Sequence, residues 1–313
     1  MKKLGVTIIV VLSVFLICIY LFIPSSIQLK SDIYIKTSRS GLYRMLLNPE
    51  SVGKWWPGQR VIDSMKGYNL FNGSHYLIGQ GDVSLVPVII KNNQSVTHSS
   101  LYLIAPVPDS CQAAWVCEIA TSSNPIKRFR TYQNARVLKH DMDIILSKMK
   151  AYYSKDENIY GIQIQKELVK DPILISTSAL SKEYPTTEFI YSLLDRLSNY
   201  ATLHTAKETG YPMLNINTED GINYDTKVAI PIDRVLENSG DISQKRMLGN
   251  GNILVAEVKG GITNAALAFE QIQKYADDYQ RAAPAIPFYS LVTDRRKEPD
   301  TSKWITRIYY PVR

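Results

Sequence analysis

Leu4 to Ile23 forms the longest apolar run of the chain, with no charged residue, directly behind Lys2 and Lys3. As a helix it would span roughly 30 Å, the thickness of a bilayer's hydrocarbon core. No A-x-A-like cleavage site follows, so the pattern predicts a retained transmembrane helix over residues 4–23 within an anchor segment 1–26. The two lysines favour a cytoplasmic N-terminus and place the bulk of the chain on the extracytoplasmic side of a cell membrane. Polarity then alternates. Ile27, Leu29, Ile33 and Ile35 predict a strand, and Thr37 or Ser38 caps a short helix that must end by Asn48-Pro49. Strand-like runs follow at Tyr76–Gln80, Val83–Ile90, Val96–Ala105 and Ala114–Ala120, punctuated by Asn72-Gly73, Asn92-Asn93 and Pro108-Asp109-Ser110. Leu138, Met142, Ile145, Met149 and Tyr152 then make one apolar stripe on a long helix.

The second half repeats itself. Thr226-Lys227-Val228-Ala229-Ile230-Pro231-Ile232-Asp233 matches Thr306-Arg307-Ile308-Tyr309-Tyr310-Pro311-Val312-Arg313, with five of the eight positions identical or conservative. An amphipathic helix precedes each copy. Phe189, Ile190, Leu193, Leu194 and Leu197 mark the first, opened by Pro185; Leu267, Ala268, Ile272, Tyr275 and Ala276 mark the second, capped near Thr263. Each copy reads strand, helix, strand, strand. Such self-similarity predicts two packed modules related by a pseudo-twofold, with a cleft between their sheets suited to a small ligand.

Composition adds less. After the anchor the chain is long enough for two domains, expected at 27–158 and 163–313. The net charge is +7, yet the signs alternate and the densest basic clusters are short, Lys127-Arg128-Phe129-Arg130 and Arg295-Arg296-Lys297. That distribution suits solubility or anionic headgroups, with no nucleic-acid partner. Cys111 and Cys117 stand about 20 Å apart along an extended strand, so they bridge only if the chain folds back there. His75, His98 and His140 are scattered, with no metal-ligand spacing, and no cofactor is expected. Gly249-Asn250-Gly251 precedes a strand and reads as a hairpin turn, not a dinucleotide loop. Twenty tyrosines against seven phenylalanines suit cavities that are apolar with a polar end.

Two resemblances follow from these residues. The order strand, short helix, antiparallel strands and long helix, with Asn48-Pro49-Glu50 and Lys54-Trp55-Trp56-Pro57, resembles the START-like, polyketide-cyclase-like (SRPBCC) superfamily over residues 27–158. This implies a helix-grip fold around a hydrophobic-ligand cavity. Trp55 and Trp56 read first as core packing and a loop anchor, with Trp56 kept as a ligand contact. Val258-Lys259-Gly260-Gly261, Val292-Thr293-Asp294, Glu298 to Trp304 and Ile308 to Val312 resemble the GyrI-like effector-binding domain over residues 163–313. That resemblance implies an aromatic-lined pocket for apolar, often cationic compounds, and in some relatives hydrolysis by a pocket glutamate. Here Tyr289 and Arg307 stand where relatives carry acidic residues, so the carboxylate that would attract a cation or act as base is missing.

The expected fold class is therefore α+β: an N-terminal transmembrane helix, a helix-grip antiparallel sheet domain and a duplicated β-α-β-β domain. The expected function is a membrane-anchored protein that binds a lipophilic small molecule for sensing, buffering or transfer. Its partners are that ligand and, through residues 4–23, the membrane. Tyr211, Tyr289, Trp304, Arg307, Tyr309 and Trp56 are the candidate ligand contacts, and no residue is assigned catalysis or a metal. The alternatives are a hydrolase drawing its base from Glu188, Glu257 or Glu270, and an envelope interaction protein with vestigial pockets.

Overall fold

The computed structural model describes residues 13–14, 16–63, 66–92, 95–169, 173–218, 221–247 and 249–313. Much of the apolar run, residues 4–12 and 15, lies outside the described residues. Among the described residues no helix is long and apolar enough to cross a membrane. This overturns the transmembrane helix in the expected fold class and the single-pass cell-membrane location with an extracytoplasmic bulk, and it leaves the membrane contact expected of residues 4–23 without support. Residues 13–14 and 16–22 are helical. The end of this stretch is held by protein: Arg128 donates to the Ile23 carbonyl and stacks 5.0 Å from the Tyr20 ring centroid, while Ile19 and Ile23 are buried.

The described residues form two compact units, Met1–Ile159 and Tyr160–Arg313. Both are α+β with antiparallel sheets. Unit 1 comprises β1 (Ser26–Ile35), α1 (Arg39–Leu47), α2 (Pro49–Gly53), β2 (Gln59–Asp63), β3 (Lys66–Phe71), β4 (Ser74–Ile78), β5 (Leu85–Lys91), β6 (Val96–Val107), β7 (Ser110–Ala120) and α3 (Pro125–Tyr153). The sheet order is β1-β7-β6-β5-β4-β3-β2. Caps fix the helix starts. Ser38 Oγ accepts from the Gly41 amide at 3.0 Å, and Asn48 and Asn124 each cap a helix whose first residue is proline. The hairpin β2–β3 has no counterpart in the strands expected from the sequence. Along α3 the buried set is Ala135, Asp141, Met142, Ile145, Leu146, Met149 and Tyr153. Asp141 therefore sits inside a stripe that periodicity fills with apolar residues. Cys111 and Cys117 lie on the single strand β7, buried as free thiols. Burial pushes both up to about 11.

Unit 2 comprises β8 (Gln165–Leu168), β9 (Ile173–Ser181), α4 (Thr187–Leu203), β10 (Met213–Asn217), β11 (Tyr224–Ile232), β12 (Ser243–Arg246), β13 (Asn252–Lys259), α5 (Ile262–Asp278), β14 (Phe288–Leu291) and β15 (Ile305–Val312). The order β12-β9-β11-β10-β14-β15-β13-β8 places β9-α4-β10-β11 and β13-α5-β14-β15 symmetrically about the middle of one sheet. In the sheet the copies pair through a short ladder, Met213↔Ser290 and Leu214↔Tyr289. The expected cleft between two sheets is thus replaced by a seam within a single sheet. Strand alternation divides its faces. Ile175, Leu214, Val228 and Ile230 pack against Ile190, Leu193, Leu194 and Leu197 of α4. Leu254, Ala256, Ile308 and Tyr310 pack against Ala268, Ile272 and Ala276 of α5. Tyr289, at the seam, is packed against both clusters.

Candidate functional site

On the helix-covered face, the strand after Tyr289 leads into a loop that returns a basic side chain to the seam. Arg295 is only 8% exposed, although it opens the cluster that reads as solvated in sequence. Its guanidinium lies 4.7 Å from the Trp304 ring centroid and donates to Thr306 Oγ1 at 3.2 Å. Its backbone amide donates to the Tyr191 hydroxyl at 2.9 Å. No ion pair to Arg295 is found among the described residues. Burial lowers its pKa, and the phenols of Tyr191, Tyr184 and Tyr289 favour the charged form. Tyr289 in turn is pushed up to about 12, chiefly by burial. Phe269 extends the aromatic row, 5.6 Å from Tyr289. The chain's own cation therefore sits in this aromatic cluster, its guanidinium over the Trp304 ring.

The opposite, helix-free face holds a cavity of about 600 Å3. Strand parity supplies its floor: Leu174, Ser176, Met213, Asn215 and Ala229 all point away from the helices. The stretch from Pro284 to Phe288 forms one wall, held by Asn215 Nδ2, which donates to the Pro287 carbonyl at 2.9 Å. Lys227, Lys245 and Arg246 contribute positive charge and Asp241 the one carboxylate of the lining. Lys227 is paired with Asp225 at 2.8 Å, and Asp241 with Arg196. A mostly apolar concavity of this size with a few charged groups is what a drug-sized ligand requires.

The six sequence candidates divide among these places. Tyr289 and Trp304 belong to the Arg295 cluster. Arg307 and Tyr309 point to the helix-free face: Arg307 pairs with Glu257 at 2.8 Å, and Tyr309 stacks on Phe288 at 5.0 Å. Phe288 lines the cavity, so Tyr309 supports its wall. Tyr211 is exposed in the loop before β10. Trp56 is buried in unit 1, 5.3 Å from Tyr76, with its Nε1 donating to the Leu70 carbonyl at 3.2 Å. Around it Trp55, Tyr76, Trp115 and Tyr153 fill the centre of unit 1. Tyr153 accepts from Trp55 Nε1 at 2.8 Å and lies 2.8 Å from Ser51 Oγ. Glu188, Glu257 and Glu270 are all exposed. Among the described residues, no group of three or more His, Cys, Asp or Glu is placed to hold a metal ion.

No family model and no curated protein matches the chain. Several solved structures resemble part of it. The EcmrR C-terminal domain aligns at 15% identity and TM-score 0.42, over 49% of this chain and 98% of its own. A hydrolase from Listeria innocua aligns at 12% identity and TM-score 0.37, over 48% and 92%. SAV2435 bound to tetraphenylphosphonium aligns at 17% identity and TM-score 0.32, over 49% and 94%.

Proposed function

We propose that residues 160–313 are a GyrI-like small-molecule-binding module whose ligand is lipophilic and neutral or anionic. The carrying observation is the cavity of about 600 Å3 on the helix-free face, apolar in its floor and bordered by Lys227, Lys245 and Arg246. Among the lining charges Lys227 is offset by Asp225 and the one carboxylate, Asp241, by Arg196, so the rim at Lys245 stays basic and no carboxylate of the lining is free. A lipophilic anion would gain from this imbalance, whereas a lipophilic cation would be desolvated without a free counter-charge. The aromatic cluster under the helices does not offer the cation a second home, because Arg295 occupies it. Of the candidate contacts, Tyr309 acts through Phe288, while Tyr289 and Trp304 hold Arg295.

Octanoate and octylammonium share a tail and differ in head-group charge, so calorimetric titration of the full chain with both tests the reading. Octanoate is expected to bind more tightly by about tenfold or more, a difference of roughly 1.4 kcal/mol. Met213→Trp, which fills the floor, should abolish octanoate binding. Tighter binding of octylammonium, or octanoate binding unaffected by Met213→Trp, would place the ligand elsewhere.

A further inference from the structure

Unit 1 carries a separate cavity of about 780 Å3 beside the first half of α3. It is bounded by the β3–β4 turn at Asn72 to Ser74, the start of β6 at Val96 to His98, and the end of β7 at Glu118 to Ala120. Its chemistry is unlike that of the cavity in unit 2. In a chain of net charge +7, no Lys or Arg lines it, while Asp141 does; Glu118 borders it from the exposed face of β7, where its carboxylate accepts from Ser26 Oγ. Asp141 is 2% exposed and, among the described residues, accepts one hydrogen bond, from Asn72 Nδ2 at 2.7 Å. An ionised carboxylate offers about four acceptor positions, so this buried group is under-satisfied, and a neutral amide supplies no compensating charge. Nearby, Tyr76 is fully buried, with the Ser74 side chain beside its hydroxyl. The Asp141 charge adds to burial in raising that phenol's pKa. Asn134, Thr131 and Thr97 add hydroxyl and amide groups to the lining.

We propose that this cavity binds a small hydroxylated organic cation, with its ammonium group on Asp141 and its hydroxyls among Asn134, Thr131 and Thr97. An ammonium brings both the positive charge and the donors that Asp141 lacks. The hydroxyls match a lining that alternates polar groups with Ile90, Ala135 and Leu138. A bare metal ion fits less well: the cavity is far larger than an ion, and among the described residues no group of three or more His, Cys, Asp or Glu is placed to hold one.

Glucosamine, glucose and N-acetylglucosamine present one ring with a charged amine, no amine and an uncharged amide. Calorimetric titration of the full chain should show saturable glucosamine binding, about tenfold or more tighter than either neutral sugar. The preference should weaken with added salt. Asp141→Asn keeps the side chain's shape and should erase the preference. Thr131→Trp, which fills the cavity from its rim, should abolish binding, and it carries the test if the Asp141 variant does not fold. Three outcomes overturn the proposal: no saturable binding of glucosamine or 2-amino-1,3-propanediol at millimolar concentration, equal binding of the neutral sugars, or a preference that survives both substitutions.

Discussion

Arg295 places a guanidinium among aromatic rings, with Thr306 as its side-chain hydrogen-bond partner and no ion pair among the described residues. A buried charge of this kind is held by packing more than by electrostatics. Arg295→Met, similar in reach and uncharged, is therefore expected to leave the urea midpoint unchanged or raise it. Arg295→Ala, which empties the space beside Trp304, should cost about 2 kcal/mol or more. Equal losses for the two would show that the charge itself stabilises the seam. Asp141 is a second buried charge that is unfavourable to folding. Burial raises its pKa above the ordinary value, with the Asn72 hydrogen bond offsetting only part of the shift. Between the unfolded pKa, near 4, and this raised value, the folded state binds more protons than the unfolded state. Stability should therefore fall as pH rises through that window. Asp141→Asn should remove the slope and stabilise the protein at neutral pH, as read from urea midpoints along a pH series. Neither residue was legible as buried: a charge beside Arg296 and Lys297, or one flanking an apolar stripe, looks solvated until tertiary packing encloses it. The tyrosine excess was the one available signal, since four of those residues, Tyr184, Tyr191, Tyr289 and Tyr76, adjoin these two charges.

The elements that sequence predicts best are those whose two signals agree. Both repeat helices combine an apolar face with a start signal, and the matching strands β11 and β15 recur eighty residues apart. The β2–β3 hairpin lacks such agreement: Gln59, Arg60, Asn69 and Gly67 interrupt any alternation, and its strands are defined by pairing with each other. The cavity faces were also invisible, because the sequence shows alternation but not which side the helices cover. The repeat helices differ at their starts in a measurable way. Thr186 caps α4 by accepting from the Phe189 amide at 3.2 Å, whereas Gly261 precedes α5 with no side-chain cap. Thr186→Ala should lower stability by about 1 kcal/mol. At Gly260, φ is +130° and an added Cβ would lie 2.7 Å from Asn264 Cγ. Gly260→Ala is expected to cost more than the lost cap, about 1–3 kcal/mol from backbone strain alone. Denaturant midpoints that rank the two substitutions in the reverse order would contradict this assignment.

At the scale of the molecule, each unit has its own sheet and its own buried core, the condition for folding alone. Residues 27–158 and 163–313 are expected to express as separate folded proteins, each with a cooperative thermal transition. If neither folds while the full chain does, the division is wrong. A second expectation concerns the thiols of β7. Both are buried and carry raised pKa values of about 11, so at pH 8 they should resist iodoacetamide until unit 1 unfolds. Alkylation at the rate of a free exposed thiol would mean that β7 opens locally.

The narrow seam between β10 and β14 has a consequence for ancestry. A single β-α-β-β copy would present its β10-type strand as an open edge. Two such polypeptides could close that edge on each other through a true twofold axis, reproducing the present sheet as a homodimer. Carrying both copies in one chain makes that association independent of concentration. The two copies differ at this connection: residues 292–304 join β14 to β15 and carry Arg295, whereas the shorter 218–223 joins β10 to β11.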